Sequence, residues 1–213
     1  MKRLLLVLTM TLPLAAVADT GGADPFTHGD VKAGQQKAGI CFACHGPDGS
    51  GSVNPAWPKL AGQGSAYIYE QLTQFKSHQR KNPLMEPQAG ALSREDMKNL
   101  AAYFSSLPYV PGVAGKASIE IAQPLFRAGD PSRGLPACAA CHGPDGAGNA
   151  AAKIPRLGGQ NSAYIAAQLT NFKSRERGVG VNGQMMQYVA GKLSDQEIQA
   201  LASYVGGLKS GLK

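Results

Sequence analysis

Apolar residues recur at helical spacing in four stretches of the chain, and these stretches form two matched pairs. Met97, Leu100, Ala101 and Phe104 follow Ser93-x-x-Asp96, and Ile198, Leu201, Ala202 and Val205 follow Ser194-x-x-Glu197. Each four-residue opening reads as a capping box, so a helix is predicted to start directly after each serine. A second pair of helices is predicted from near Ser65 and Ser162, burying Ile68, Leu72 and Phe75 in one and Ile165, Leu169 and Phe172 in the other. Shorter helices are expected at about 31–40 and 119–128. No stretch alternates with the period of two that a half-buried strand needs, so the chain reads as all-α.

The pairing of helices reflects a duplication. Cys44-His45-Gly46-Pro47-Asp48-Gly49 recurs as Cys141-His142-Gly143-Pro144-Asp145-Gly146, an offset of 97 that also maps Pro58-Lys59-Leu60 onto Pro155-Arg156-Leu157 and Ser65-Ala66-Tyr67-Ile68 onto Ser162-Ala163-Tyr164-Ile165. Four extra residues near Gly178-Val179-Gly180-Val181 then raise the offset to 101, which aligns Leu92-Ser93 with Leu193-Ser194. Residues 1–18 differ from everything after them. Lys2 and Arg3 precede an apolar run from Leu4 to Val17 that ends in Ala16-Val17-Ala18, too short for the ~20 residues of a membrane span, and this reads as a secretory signal peptide. The expected organisation is a leader at 1–18, a first domain at 19–112, a second at 113–213, and a periplasmic location.

Each predicted domain holds about three main helices joined by long glycine-rich connections. Such a unit buries little aliphatic surface, so something further must fill each core. Composition narrows the possibilities. Mean hydropathy of −0.17 excludes a polytopic membrane protein, and 43% apolar residues make disorder improbable on physical grounds. The formal charge of +7 falls to +5 without Lys2 and Arg3, and the second half carries all of it, with eleven basic and six acidic residues against eight and eight. Export and the lack of a basic cluster with interleaved aromatics argue against nucleic acid. An acidic partner meeting some of Lys153, Arg156, Lys173, Arg175, Arg177 and Lys192 is the expectation that the charge asymmetry raises.

The chain has four cysteines, and two pentads use them all: Cys41-Phe42-Ala43-Cys44-His45 and Cys138-Ala139-Ala140-Cys141-His142. C-x-x-C-H is the attachment pattern of c-type haem. Cysteines one helical turn apart can add to the two vinyl groups at one porphyrin edge, which places the adjacent histidine beneath the iron. Redox dithiols or a zinc site are the competing readings. Their recurrence at matching places in an exported duplication favours two covalently attached haems, with Cys41, Cys44, Cys138 and Cys141 as the attachment residues and His45 and His142 as iron ligands.

The second ligand of each iron follows by elimination. His28 has no counterpart in the repeat, His78 maps to Arg175, and Met97 maps to Ile198 on an apolar helix face. Met85 maps to Met186 under the offset of 101, both eight residues before the cap serine, while Met185 falls opposite Leu84. Met85 and Met186 are therefore the expected partners of His45 and His142. The carbonyls of Pro58 and Pro155 are expected to accept from the histidine rings. Lys59, Arg156, Gln63, Gln160, Tyr67 and Tyr164 either reach haem propionates or pack as ordinary loop residues.

With these residues in place, the chain resembles the di-haem cytochrome c4 family. The resemblance rests on the two pentads, on Pro58-Lys59-Leu60-Ala61-Gly62-Gln63 and Pro155-Arg156-Leu157-Gly158-Gly159-Gln160, on the surroundings of Met85 and Met186, and on Leu193-Ser194 with Ser203-Tyr204. It implies two tandem class I cytochrome c domains about an approximate twofold, with propionate edges approaching across their interface. It further implies an electron carrier, not an enzyme, working with redox protein partners: a quinol-oxidising respiratory complex as donor and a terminal oxidase or other reductase as acceptor, with peripheral association at the membrane an option. The competing implication is a di-haem electron-accepting subunit of a periplasmic oxidoreductase such as a flavocytochrome. A di-haem peroxidase needs an iron that opens, and the paired methionines count against it.

Overall fold

The computed structural model describes residues 24–51 and 54–209. The leader at 1–18 lies outside them. Ten α-helices follow in order among the described residues: α1 (Val31–Lys37), α2 (Gly39–His45), α3 (Ser65–Lys76), α4 (Met85–Gly90), α5 (Arg94–Ser106), α6 (Lys116–Ala128), α7 (Cys138–His142), α8 (Ser162–Lys173), α9 (Gly180–Ala190) and α10 (Asp195–Gly206). Two isolated bridges, Asp130 with Leu135 and Asn149 with Ile154, are the only extended pairing described.

The capping boxes form as the sequence predicts. Ser93 Oγ accepts from Asp96 N–H while the Asp96 carboxylate accepts from Ser93 N–H, and Ser194 and Glu197 repeat the arrangement at α10. Helices α3 and α8 begin at Ser65 and Ser162, and each is twelve residues long. The expected helix at 31–40 divides into α1 and α2, with Ala38 shared as the cap between them. Helices α4 and α9 carry no signal of their own in the apolar pattern. The first is only six residues and includes Pro87, and the turn that leads into it is held by Asn82, whose Oδ1 accepts from Leu84 N–H at 3.0 Å and Met85 N–H at 2.9 Å.

Helix α5 packs on α1 and α3, and α4 packs on α3; α10 packs on α6 and α8, and α9 on α8. Two separate cores result. One gathers Ala38, Ile68, Leu92, Met97, Leu100, Ala101, Tyr103 and Phe104; the other is larger, centred on Phe126, Leu135, Ile198, Leu201 and Val205. Phe104 meets Phe42 of the first pentad edge-on, with ring centroids 6.5 Å apart, whereas Phe126 meets Tyr204 at 5.5 Å. Each fully buried side chain of this size contributes about 1.5–3 kcal/mol. The first pentad is thus bound into its core through an aromatic side chain that the second pentad, with Ala139, lacks.

Candidate haem-binding sites

Both pentads are helical, so the two cysteines of each lie three residues apart on one helix face. Cys41 and Cys138 are half-buried, while Cys44 and Cys141 are exposed; none is in a disulfide. Burial, with a smaller contribution from the neighbouring cysteine at Cys41, pushes the thiols of Cys41 and Cys138 up to about 11. The helices stop at the histidines because Gly46 and Gly143 take φ of 80° and 79°. At Gly46 a Cβ would stand 1.9 Å from the Gly51 carbonyl oxygen, so only glycine allows the loop to fold back there.

The two imidazoles are held alike. His45 and His142 are each 7% exposed, and Nδ1 of each faces a proline carbonyl: Pro58 O at 2.8 Å and Pro155 O at 3.0 Å. A carbonyl oxygen can only accept, so Nδ1 carries the proton and Nε2 presents a lone pair. Burial pulls both ring pKa values down and the bond to proline partly opposes it; the net direction favours the neutral ring, the form a metal ligand needs. The proline loops are stitched to the turns after the histidines by matching bonds. Leu60 and Ala61 N–H both donate to Gly49 O, and Leu157 and Gly158 N–H both donate to Gly146 O.

The methionine register is equally matched. Met85 and Met186 are half-buried, while Leu84 and Met185, their aligned neighbours, are 59% and 53% exposed. Ala89 and Ala190 are both fully buried, and Leu92 and Leu193 are both 4% exposed. His28 and His78 stand apart from this arrangement, both at left-handed φ, and His78 Nδ1 lies 2.7 Å from Glu86 Oε2. Met97 is buried in the first core.

The residues weighed for propionates chiefly join the two halves. Gln63 Oε1 accepts from Arg156 N–H at 2.8 Å and its Nε2 donates to Arg156 O at 3.0 Å; Gln160 does the same to Lys59, at 2.8 and 2.9 Å. Tyr67 and Tyr164 enter a second twofold set. Arg80 donates to Gln71, Tyr164 and Gln168, and Arg177 donates to Gln168, Tyr67 and Gln71. Among the described residues no carboxylate pairs with either arginine, although Arg80 is buried and Arg177 half-buried. The connecting segment runs between the loops: a Cβ at Gly159, where φ is 80°, would come within 2.5 Å of Val110 O.

The residues expected to form a basic docking face are in part engaged within the protein. Arg156 and Arg177 are consumed in the interface between the halves, Lys153 pairs with Glu70 across it at 3.4 Å, Lys173 pairs with Asp195 at 2.8 Å, and Lys192 donates to Arg133 O. Of the six only Arg175 keeps an exposed side chain without a described partner. Much of the second half's charge excess is therefore used within the protein.

The residues present fit haem. Each half offers two thiols on one face, a neutral imidazole with free Nε2 and a half-buried thioether, and Arg156 Nη1 is buried without a hydrogen-bond partner among the described residues, a donor that suits a carboxylate such as a propionate. No group of three or more His, Cys, Asp or Glu side chains comes together in a metal-holding arrangement among the described residues, so the zinc reading gains no support. Two such sites on two helical units define a tandem c-type cytochrome.

The cytochrome c family pattern matches residues 31–108 and 125–209. The chain is 41% identical over 208 residues to cytochrome c4 of Pseudomonas aeruginosa, covering 98% of this chain and 100% of that one. It is 37% identical over 188 residues to the thiosulfate dehydrogenase electron acceptor of Stutzerimonas stutzeri, covering 86% and 81%. The crystal structure of reduced recombinant cytochrome c4 from Pseudomonas stutzeri superposes with a TM-score of 0.82 at 43% identity, over 85% of this chain and all of the other. The chain belongs to the di-haem cytochrome c4 family. It is an electron-transfer protein of two cytochrome c domains with covalently attached haem c.

Proposed function

We propose that this chain is a periplasmic carrier with two independent His/Met sites: Cys41 and Cys44 attach one haem, whose iron takes His45 and Met85; Cys138 and Cys141 attach the other, whose iron takes His142 and Met186. The observation that carries this reading is the duplicated histidine geometry, with Nδ1 bonded to a proline carbonyl and Nε2 left free. When bound, haem supplies a one-electron ferric/ferrous couple. The protein's own part would be to fix the imidazole plane and to offer one thioether per site, from the first residue of α4 and from within α9, so that His45 with Met85 and His142 with Met186 would hold the irons without leaving room for small oxidants. The domain join falls in the segment around 107–116, between the two cores.

The donor we propose is a quinol-oxidising respiratory complex, and the acceptor a terminal oxidase or other reductase. The leader-like pattern of residues 1–18 supports the periplasm, and among the described residues no helix is long and apolar enough to cross a membrane. Similarity to thiosulfate dehydrogenase electron acceptors favours a second reading, in which this chain draws electrons from a periplasmic dehydrogenase. Stopped-flow reduction by each class of donor separates the two: reduction by the quinol-oxidising complex at a rate no dehydrogenase matches supports the first, and the reverse order supports the second. Visible spectra must show two low-spin haems with a methionine-to-iron charge-transfer band and no fast carbon monoxide binding when reduced; rapid binding by either haem overturns the closed coordination.

A further inference from the structure

The carbonyl that each iron histidine uses and the amide that the opposite domain grips belong to one peptide group. Pro58 C=O accepts from His45 Nδ1–H at 2.8 Å, and the N–H of that same peptide, on Lys59, donates to Gln160 Oε1 at 2.8 Å. In the other half Pro155 C=O accepts from His142 Nδ1–H at 3.0 Å, and Arg156 N–H donates to Gln63 Oε1 at 2.8 Å. A peptide whose N–H is engaged becomes a stronger acceptor at its oxygen, because hydrogen bonds in series polarise one another in a low-dielectric interior. Both glutamines are buried, at 7% and 8% exposure, so water does not replace them. Each is itself fixed, since Gln63 Oε1 also accepts from Gly64 N–H and Gln160 Oε1 from Asn161 N–H.

We propose that Gln63 and Gln160 are positioning residues acting in trans: each sets the hydrogen bond, and through it the basicity, of the histidine that ligates the iron in the opposite domain. This rests on the reading of His45 and His142 as iron ligands. A stronger Nδ1–H bond makes the imidazole a better donor and favours ferric iron. Loss of Gln63 therefore raises the reduction potential of the second haem and leaves the first where it was, and loss of Gln160 does the converse. A local role, in which each glutamine merely packs its own loop, moves the haem of its own domain or neither.

The test uses the haem-loaded protein. NMR of the reduced, diamagnetic wild type reads the ring Nδ1–H protons of His45 and His142, and redox titration resolves the two haems by their own resonances. Absence of protected Nδ1–H signals from both histidines in wild type overturns the ligand reading itself. With those signals present, Gln63→Leu is expected to shift the His142 proton alone and to raise the ratio of reduced to oxidised second haem about twofold to threefold at fixed potential, the size expected for a change of about 10% in an amide-type hydrogen bond held in an apolar interior. Gln160→Leu gives the mirror result on His45 and the first haem. Gln63→Glu and Gln160→Glu keep the size and the acceptor, so they serve where a leucine variant fails to fold: the opposite haem then moves toward the oxidised state more than the haem of the same domain. In the leucine variants, equal movement of both haems, movement of the same-domain haem, or no movement overturns the relay; in the glutamate variants, movement of the same-domain haem equal to or larger than that of the opposite one, or movement of neither, overturns it.

Discussion

The two halves are nearly superimposable around their histidines and differ on the methionine side. Each histidine is held by a proline carbonyl thirteen residues on and each proline loop by paired bonds to one glycine carbonyl, at distances that agree within about 0.2 Å. Helix α4, by contrast, has six residues and α9 has eleven. The inserted residues all fall before Met186, so the eight-residue spacing from methionine to cap serine survives, anchored by Ala89 and Leu92 in one half and Ala190 and Leu193 in the other. Backbone bonds tolerate changes of side chain but not of register, and an insertion is absorbed upstream of a buried anchor and not between anchor and ligand.

The largest effect expected from this comparison concerns haem removal. The first core has eight buried members among the described residues and the second fourteen, so the first depends more on its haem. Expression without haem-attachment machinery should give a chain with most of its helical circular dichroism lost. Replacing Cys41 and Cys44 by alanine should unfold the first half more completely than replacing Cys138 and Cys141 unfolds the second, as read by amide hydrogen exchange. Equal protection in the two variants would show that core size does not set the dependence.

The methionine side can be probed next. Met186→Leu and Met85→Leu should each remove about half of the methionine-to-iron charge-transfer band, the share of one of two equivalent sites. Met185→Leu should leave the band intact, since Met185 is exposed and aligns with Leu84. If Met185→Leu and Met186→Leu behave the other way round, the inserted turn shifts the register by one.

A smaller contrast lies in the aromatic contacts. Phe104→Ala and Phe126→Ala should each cost about 3–5 kcal/mol in denaturant unfolding of the domain concerned. Phe104 meets its pentad ring to ring, through Phe42, whereas the second pentad has no aromatic residue, so Phe104→Ala should broaden the haem methyl resonances of its own domain more than Phe126→Ala does. Matching perturbation in both variants would remove the special coupling of the first pentad to its core.

The smallest effects are at the caps. Ser93→Ala and Ser194→Ala should each cost ~1 kcal/mol. The bonds from Ser93, and then Lys37, pull the Asp96 carboxyl down to about 2, well below its unfolded value near 4. Because the folded value is depressed, its contribution is complete above about pH 4 and is lost as pH falls through about 2. Glu197 is lowered in the same sense, first by Arg133. Arg133 grips both Glu197 oxygens whereas Lys37 makes a single contact, so Arg133→Ala should flatten the acid limb of thermal stability more than Lys37→Ala.

Much of this was legible in the sequence because it is local. Capping boxes, helix starts at Ser65 and Ser162, the pentads and the alignment of Met85 with Met186 depend on residues a few positions apart, and the duplication supplied an internal check on each. Helices α4 and α9 were not legible, since neither carries an apolar stripe: α4 starts against the Asn82 side chain, α9 has no side-chain cap, and each is anchored by a buried alanine, Ala89 or Ala190. The partners of Gln63, Gln160, Tyr67, Tyr164, Arg80 and Arg177 were out of reach for a different reason. Each of these side chains bonds to residues about a hundred positions away, and no periodicity in a loop or at a helix end encodes how two finished domains meet. Arg156 and Arg177 illustrate it: counted along the chain they are surface cations, and only the docking of one half on the other turns them into half-buried donors at the junction between the two sites. Local chemistry thus determined what each half can bind, and tertiary contact alone decided that each half's histidine is held partly by the other.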